Sequence, residues 1–430
     1  MEITYLIQRA KKLICSLGLF IISLPAVAAG FDCSEPGLNN TELTICNDTY
    51  LSGMDNALNT FFTAALENSI NHGTLFREQR QWIQERNQCA EDIACIKEKY
   101  IERNRSLTAV RPFRSVEEVF NRDGDSLDPP MAQSLQNKNG FTLSEERWRV
   151  KLIIPDAVFT SAAYGLQDPS WRVLTHRVID GDLVIYFIVA GVAEGSMVNY
   201  IVRVDEGARP KTLARYTSSD SQDTAIVYDP IRTDTIIYNV YQRPYSEEEG
   251  DSDYNVNTFE IDPFTNISKQ IGSSLRSTAM DRNERWIGYC ENQECVSRVT
   301  SPDGKWRLAS RDSFKGDKDD GMFYFPADKP EQGVNVFLAQ ADTAKYDDFE
   351  YTRNYIWGDG NTFYFDNDGG LACIWKTDIE NKLTQRILPV EGLLAPYYLK
   401  YDNEQMIISS YVSHVKKDGQ WQQEVYIAKK

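Results

Sequence analysis

Three histidines, His72, His176 and His414, are all the imidazole available in a chain of 430 residues. None falls in an HExxH or paired CxxC/HxxxH spacing, so the sequence holds no conventional zinc site and implies no cofactor. Each histidine reads as structural: His72 beside Gly73 in an interhelical turn, His176 and His414 in strands far apart. There is also no GxSxG elbow, no P-loop and no compact His-bearing constellation. No catalytic residue is assigned, although carboxylate pairs for glycoside chemistry stay open in a chain with 63 Asp and Glu. Asp123, Asp125 and Asp128 mimic part of a calcium loop but lack the glycine and terminal glutamate of an EF-hand. Asp317, Asp319 and Asp320 before Gly321, and Asp366 and Asp368 before Gly369, are explained by turn chemistry. Cys373, between Ala372 and Ile374, reads as a buried free thiol. What remains is recognition chemistry. Trp82 flanked by Arg80 and Arg86 has the composition of an anchor for a protein partner. The competing reading is that Trp82 shares a core face with Leu75 while Arg80 or Arg86 pairs with Asp55.

These residues sit in a helical stretch. Leu51, Met54, Leu58, Phe61 and Ala65 advance by three and four, giving one apolar stripe. Thr74 is the expected cap of a second helix carrying Leu75, Trp82 and Arg86 up to Cys89. Glu91 and Asp92 place negative charge at the start of a third, with Ile93, Ile96, Tyr100 and Leu107 on one face. Cys33, Cys46, Cys89 and Cys95 crowd this region and allow three connectivities. The local pairs Cys33–Cys46 and Cys89–Cys95 are favoured because each ties a helix end to its neighbouring loop. Three short helices around a small core benefit from such staples.

Read together, Phe31-Asp32-Cys33, Thr44-Ile45-Cys46, Met54-Asp55, the run from Arg77 through Glu78, Gln79, Arg80 and Gln81 to Trp82 with Arg86 and Cys89, and Cys95 followed by Tyr100, Arg103 and Leu107 resemble the LprI-like family of lysozyme-inhibitor domains. The resemblance covers about a fifth of the chain. It implies a small, helical, disulfide-bonded envelope module whose family activity is lysozyme inhibition. A large C-terminal region follows that the bare module lacks.

Export is written at the N-terminus: Arg9, Lys11 and Lys12 precede an apolar run from Leu13 to Leu24 and the small residues Ala26 to Ala29. Residues 1–28 therefore read as a secretory signal, too short in its apolar run for a span, and the mature protein is expected in the periplasm or secreted. Losing the signal takes the formal charge from -17 to about -19. Such acidity argues against nucleic acid and for a basic protein partner.

Residues 111–143 mix prolines, charges and amides and read as a linker between a helical domain (30–110) and an all-β region (144–430). In the latter, polar turns repeatedly lead into β-branched or aromatic strands: Asp180-Gly181-Asp182 before Leu183, Arg232 to Asp234 before Thr235, Asp281 to Glu284 before Arg285, Ser301-Pro302-Asp303-Gly304 before Lys305, Gly358-Asp359-Gly360 before Asn361, and Asp402-Asn403 before Met406. Cys290 and Cys295 have a spacing suited to a bridge across a hairpin. The fold class expected is multidomain α+β, a disulfide-bonded three-helix domain followed by a β-propeller, with β-sandwiches as the alternative. The SPDGKW segment from Ser301 resembles a blade turn of TolB-like propellers. The leading function is an exported envelope recognition protein, an inhibitor of lysozyme or another wall hydrolase or an immunity protein against a toxin, and not an enzyme. The alternatives are an envelope scaffold or assembly factor, and a glycan-acting hydrolase.

Overall fold

The computed structural model describes residues 29–120, 127–158, 165–207, 209–217, 224–227, 235–242, 254–276, 300–311, 321–337, 351–367, 371–417 and 420–430. It divides into two compact units, Met1–Thr63 with Gln79–Thr108 and Ala64–Glu78 with Ala109–Lys430. Cys290, Cys295, Asp123, Asp125 and residues 1–28 lie outside the described residues, as do the turns at 232–234 and 281–284.

Among the described residues the α-helices are α1 (Asn40–Asn47), α2 (Thr49–Asn68), α3 (His72–Asn87), α4 (Ile93–Thr108) and α5 (Val116–Phe120). The three expected helices are present as α2, α3 and α4; α1 and α5 are additional. Within the first unit Leu51, Leu58, Trp82, Ile96, Tyr100 and Leu107 are buried, as the helical period requires. Cys33 is bonded to Cys46 and Cys89 to Cys95.

Two local expectations are corrected. Thr74 does not cap α3, which begins at His72. Its N–H and hydroxyl both donate to Asp182, at 2.7 Å each, so a carboxylate remote in sequence satisfies this part of the first turn. Ile93 does not face inward with Ile96 and is 50% exposed.

The second unit is β-rich. The segment 135–154 supplies β1 (Leu135–Gln136), β2 (Thr142–Glu145) and β3 (Arg149–Ile154). A four-stranded sheet follows from β4 (Gln167–Ile179), β5 (Asp182–Ala193), β6 (Ser196–Val204) and β7 (Lys211–Thr217). The next is formed by β8 (Thr224–Val227), β9 (Ile236–Gln242), β10 (Tyr254–Ile261) and β11 (Ser268–Arg276). Then come β12 (Trp306–Arg311), β13 (Gly321–Pro326) and β14 (Val334–Asn335) in a three-stranded sheet. β15 (Tyr351–Trp357), β16 (Thr362–Asn367), β17 (Cys373–Asp378) and β18 (Leu383–Leu388) make another, extended by β2, which pairs parallel with β18, and by β1. β19 (Leu393–Tyr401), β20 (Glu404–Lys417) and β21 (Gln420–Lys429) form the last, completed by β3 against β21. Five antiparallel meanders thus follow one another in chain order, and the described strands form no closed barrel. The turns before β5, β12, β16 and β20 are those read from sequence; Gly181, Gly304, Gly360 and Asn403 take the positive φ these tight reversals require.

The segment expected as a linker is built into this unit. Phe113, Val116 and Phe120 enter a core with Trp148, Val150, Tyr411 and Tyr426, while Phe141 and Leu143 enter a second core with Phe363 and Trp375. The reason is apolar side chains spaced among the prolines and charges: burying three aromatic rings outweighs the local turn signals. The last carbonyls of α2, within the second unit, accept from two buried lysines, Glu67 from Lys429 at 2.8 Å and Asn68 from Lys151 at 2.5 Å. Cations there complement the negative end of the helix.

Candidate docking groove of the helical unit

α1 is short and owes its start to a capping box: Asn39 accepts from the Glu42 N–H at 3.0 Å, and Glu42 accepts from the Asn39 N–H at 3.0 Å. Thr41 and Ile45 turn inward, Thr41 donating to the Asn87 carbonyl at 3.1 Å. That leaves Asn40, Leu43, Thr44 and Asn47, at i, i+3, i+4 and i+7, on the outer face. Asp48 then serves twice. Its N–H closes α1 on the Thr44 carbonyl, and its carboxylate accepts from the N–H groups of Tyr50 and Leu51 to start α2.

The facing wall comes from the turn between Cys89 and Cys95. Asp92 caps α4 by accepting from the N–H groups of Ala94 and Cys95 at 2.9 and 3.1 Å. The flanking Glu91 and Ile93 point out. Together Asn40, Leu43, Thr44, Asn47, Asp48, Glu91 and Ile93 line a shallow groove of about 380 Å³. Its lining sets two exposed apolar side chains, Leu43 and Ile93, 45% and 50% exposed, among carboxylates and carboxamides. Each wall is held by its own disulfide, Cys33–Cys46 at the end of α1 and Cys89–Cys95 across the 89–95 turn. The groove is therefore formed before a partner arrives, which limits the ordering cost of binding.

Behind it lies a buried polar network. Tyr100 donates to Asp55 at 2.6 Å and accepts from Arg86 at 3.1 Å; Arg86 also lies 3.8 Å from Asp55 and 3.6 Å from Glu42. Burial holds the Tyr100 hydroxyl well above its ordinary range, with Arg86 opposing and Asp55 reinforcing the shift. The Arg86 guanidinium stands 5.3 Å from the Trp82 ring centroid, and the indole N–H donates to the Lys99 carbonyl at 3.1 Å. The three residues singled out as a partner anchor are thus not brought together at the surface. Trp82 and Arg86 are buried and Arg80 is exposed. The pairing of Arg86 with Asp55 is present. Leu43, Asp48, Glu91 and Ile93 were not singled out as a binding set; the capping box Asn39-Glu42 was the available signal that a helix precedes Asp48.

Among the described residues of the second unit, several chemistry-bearing groups are engaged in structure. Asp128 pairs with Arg386 at 2.9 Å. His176 on β4 meets the Tyr397 hydroxyl at 3.0 Å, and burial, aided by Arg177, pushes its imidazole down to about 4. His72 bridges Asp402 and the Leu66 carbonyl at 2.9 and 2.8 Å. Asp366 accepts from Asn354 and from the Ala395 N–H. Cys373 is a buried free thiol facing the Leu393 carbonyl. Among the described residues no three His, Cys, Asp or Glu side chains converge to hold a metal ion, and no helix is long and apolar enough to cross a membrane.

No family model matches the chain, and no curated protein matches it in sequence. Solved structures give distant likenesses. The catalytic domain of a GH62 alpha-L-arabinofuranosidase from Coprinopsis cinerea is 10% identical with a TM-score of 0.33, over 66% of this chain and 97% of that one. A B. megaterium levansucrase variant is 9% identical with a TM-score of 0.31, over 71% and 89%. The WD40 domain of SCAP from fission yeast is 7% identical with a TM-score of 0.20, over 71% and 90%. At these scores no activity transfers from them to this chain.

Proposed function

We propose that this chain is an exported envelope protein that recognises a basic protein, a lysozyme or another wall hydrolase or a toxin, and inhibits it by docking at the α1–α4 groove. The observation that carries this reading is the groove itself, in which exposed Leu43 and Ile93 lie beside Asp48 and Glu91 and each wall is fixed by a disulfide. Formal charge of -17 over the whole chain favours rapid encounter with a cationic partner. The spacing of Cys33, Cys46, Trp82, Arg86, Cys89 and Cys95, which resembles LprI-like inhibitors, supports the same assignment, as do the two disulfides, since such bonds persist outside the reducing cytosol. We read the five sheets of the second unit as blades of a β-propeller, with β3 completing the last blade; their order along the chain supports this.

The test is a titration of hen egg-white lysozyme with the mature chain from residue 29. Stoichiometric loss of muramidase activity without turnover is expected, weakening as salt rises. Leu43→Asp and Ile93→Asp should each abolish it. No binding to lysozyme or to a panel of muramidases, amidases and lipases would overturn the reading; co-purification with an envelope complex without inhibition would favour a scaffold.

A further inference from the structure

The last three carbonyls of α2 each accept from a different side chain. Leu66 faces His72 Nε2 at 2.8 Å, Glu67 accepts from Lys429 at 2.8 Å and Asn68 from Lys151 at 2.5 Å. Two of these donors are ammonium groups, and the third is an imidazole at the first position of α3. The other ring nitrogen of His72, Nδ1, lies 2.9 Å from the Asp402 carboxylate in the turn between β19 and β20. Both ring nitrogens therefore face acceptors. A neutral imidazole has one donor and one lone pair in either tautomer, so it completes one of these bonds and turns its lone pair on the other oxygen. The doubly protonated ring completes both.

The surroundings of the ring suit a cation. Its charge sits at the C-terminal end of α2, where Lys151 and Lys429 already answer the same dipole. It also sits at the start of α3, whose dipole opposes it, and there the carboxylates of Asp182 and Asp402 compensate. The other charged groups of this corner have partners of their own: Asp182 pairs with Arg77 at 2.7 Å, Glu206 with Lys151, and Glu404 with Lys429 at 2.6 Å. Asp180 and Glu67 are exposed. Tyr401, its ring centroid 5.0 Å from that of His72, donates to the Gly181 carbonyl at 2.8 Å and accepts from the His72 backbone N–H at 3.2 Å. Burial raises that hydroxyl to about 12, so it keeps its proton and takes no part in the exchange.

We propose that His72 is a proton-operated latch: its imidazolium ties the end of α2 to the β19–β20 turn and seats residues 64–78 in the second unit, and loss of the proton releases one of the two bonds. The inference is independent of the docking reading. Bonds that need the bound proton are complete at acid pH and are lost as pH rises, so the latch closes toward acid. The His72 side chain is 19% exposed, which leaves it open to solvent protons.

Hydrogen exchange of peptides covering residues 64–78, in the chain from residue 29, tests the latch. Protection factors, corrected for the intrinsic pH dependence of exchange, are compared between the unmodified chain and His72→Gln at about pH 5 and about pH 8. At the acid end the unmodified chain is expected to be about tenfold better protected, the order of one charge-assisted bond, and the ratio should fall toward one at the alkaline end. His176 titrates alike in both chains and cancels in the ratio. Asp402→Asn is the second variant. Its carboxamide can donate to the neutral ring, so its protection should differ by less than about twofold between the two pH values. Long-range proton–nitrogen NMR should show both His72 ring nitrogens protonated at the acid end. A ratio that stays constant or grows toward alkaline pH overturns the proposal, as does a pH dependence that Asp402→Asn retains in full. A spectrum with one ring nitrogen unprotonated at the acid end would place the proton on Asp402 and also overturn it.

Discussion

Arg386 on β18 is fully buried, and its guanidinium is saturated. Nη1 donates to Asp128 at 2.9 Å and to the Ala372 carbonyl at 3.2 Å; Nη2 donates to Glu145 at 2.6 Å and to the Pro129 carbonyl at 2.7 Å; Nε donates to Glu145 at 3.3 Å. One side chain thereby fastens the start of the segment 127–145 to the sheet behind it. Arg386→Met fills similar space but strands two carboxylates. Breaking a buried pair in this way costs about 3–5 kcal/mol. The lower end applies here, because Glu145 keeps Arg147 and the Met131 N–H, and Asp128 reaches solvent at one side. With an unfolding entropy of about 2.1 cal/mol/K per residue over a unit of roughly 340 residues, ~3 kcal/mol corresponds to a fall in Tm of about 4 °C. Differential scanning calorimetry of the chain from residue 29 measures it. Arg386→Lys should fall between, since an ammonium cannot fork to two carboxylates and two carbonyls. Adding Asp128→Asn and Glu145→Gln to Arg386→Met should recover part of the loss by removing the stranded charge. A Tm change below 1 °C for Arg386→Met, or a triple variant less stable than the single one, refutes the reasoning.

Replacing Cys89 and Cys95 by Ser should lower the stability of the helical unit by about 2–5 kcal/mol, as read by urea denaturation. For His176, the folded imidazole titrates near 4 against 6.5 for the free group, so the unfolded chain binds more protons between those values. Stability should therefore decline as pH falls from about 6.5 to 4, and His176→Gln should flatten that part of a urea-denaturation pH profile. Gly73→Ala places a Cβ 1.8 Å from the Asp180 carbonyl oxygen, where the Gly73 N–H already donates to Gly181 at 3.0 Å; overpacking of this kind costs about 1–3 kcal/mol, visible in the urea midpoint.

Local signals in the sequence located local structure. The three- and four-residue spacing that runs from Leu51 through Leu58 marks α2, and Asp92 marks the start of α4, because period and capping are properties of a few consecutive residues. The pairs Cys33–Cys46 and Cys89–Cys95 followed from the same locality. Ile93 was misplaced for a geometric reason. It lies about 60° round the helix from Ile96 at 100° per residue, at the edge of the stripe, and in a first turn with no earlier turn to cover it. α1 escaped notice because eight residues with two inward side chains carry little period.

The rest required pairings that no local pattern encodes. β2 joins β18 some 240 positions away, and β3 joins β21 across nearly the whole second unit. Those two pairings turn the stretch after Pro112 from a linker into part of two cores. Its prolines and charges are all that a short window sees, whereas Phe113, Phe120, Phe141 and Trp148 acquire their role only once sheets remote in sequence close over them. The polar residues follow the same logic. Glu145 and Asp128 look like surface charge until β18 delivers Arg386, and the two carboxyls are then shifted in opposite directions. Asp128 is lifted above the usual carboxylate range by burial despite Arg386; at Glu145 burial acts the same way, but the bonds from Arg386, Met131 and Arg147 outweigh it and hold the carboxyl low. The Glu145 share of stability is thus present above about pH 4.5 and lost as pH falls through its lower folded value. Removing Arg386 should erase much of that acid-side dependence, which links a single buried guanidinium to the closure of a sheet whose two halves lie far apart in the chain.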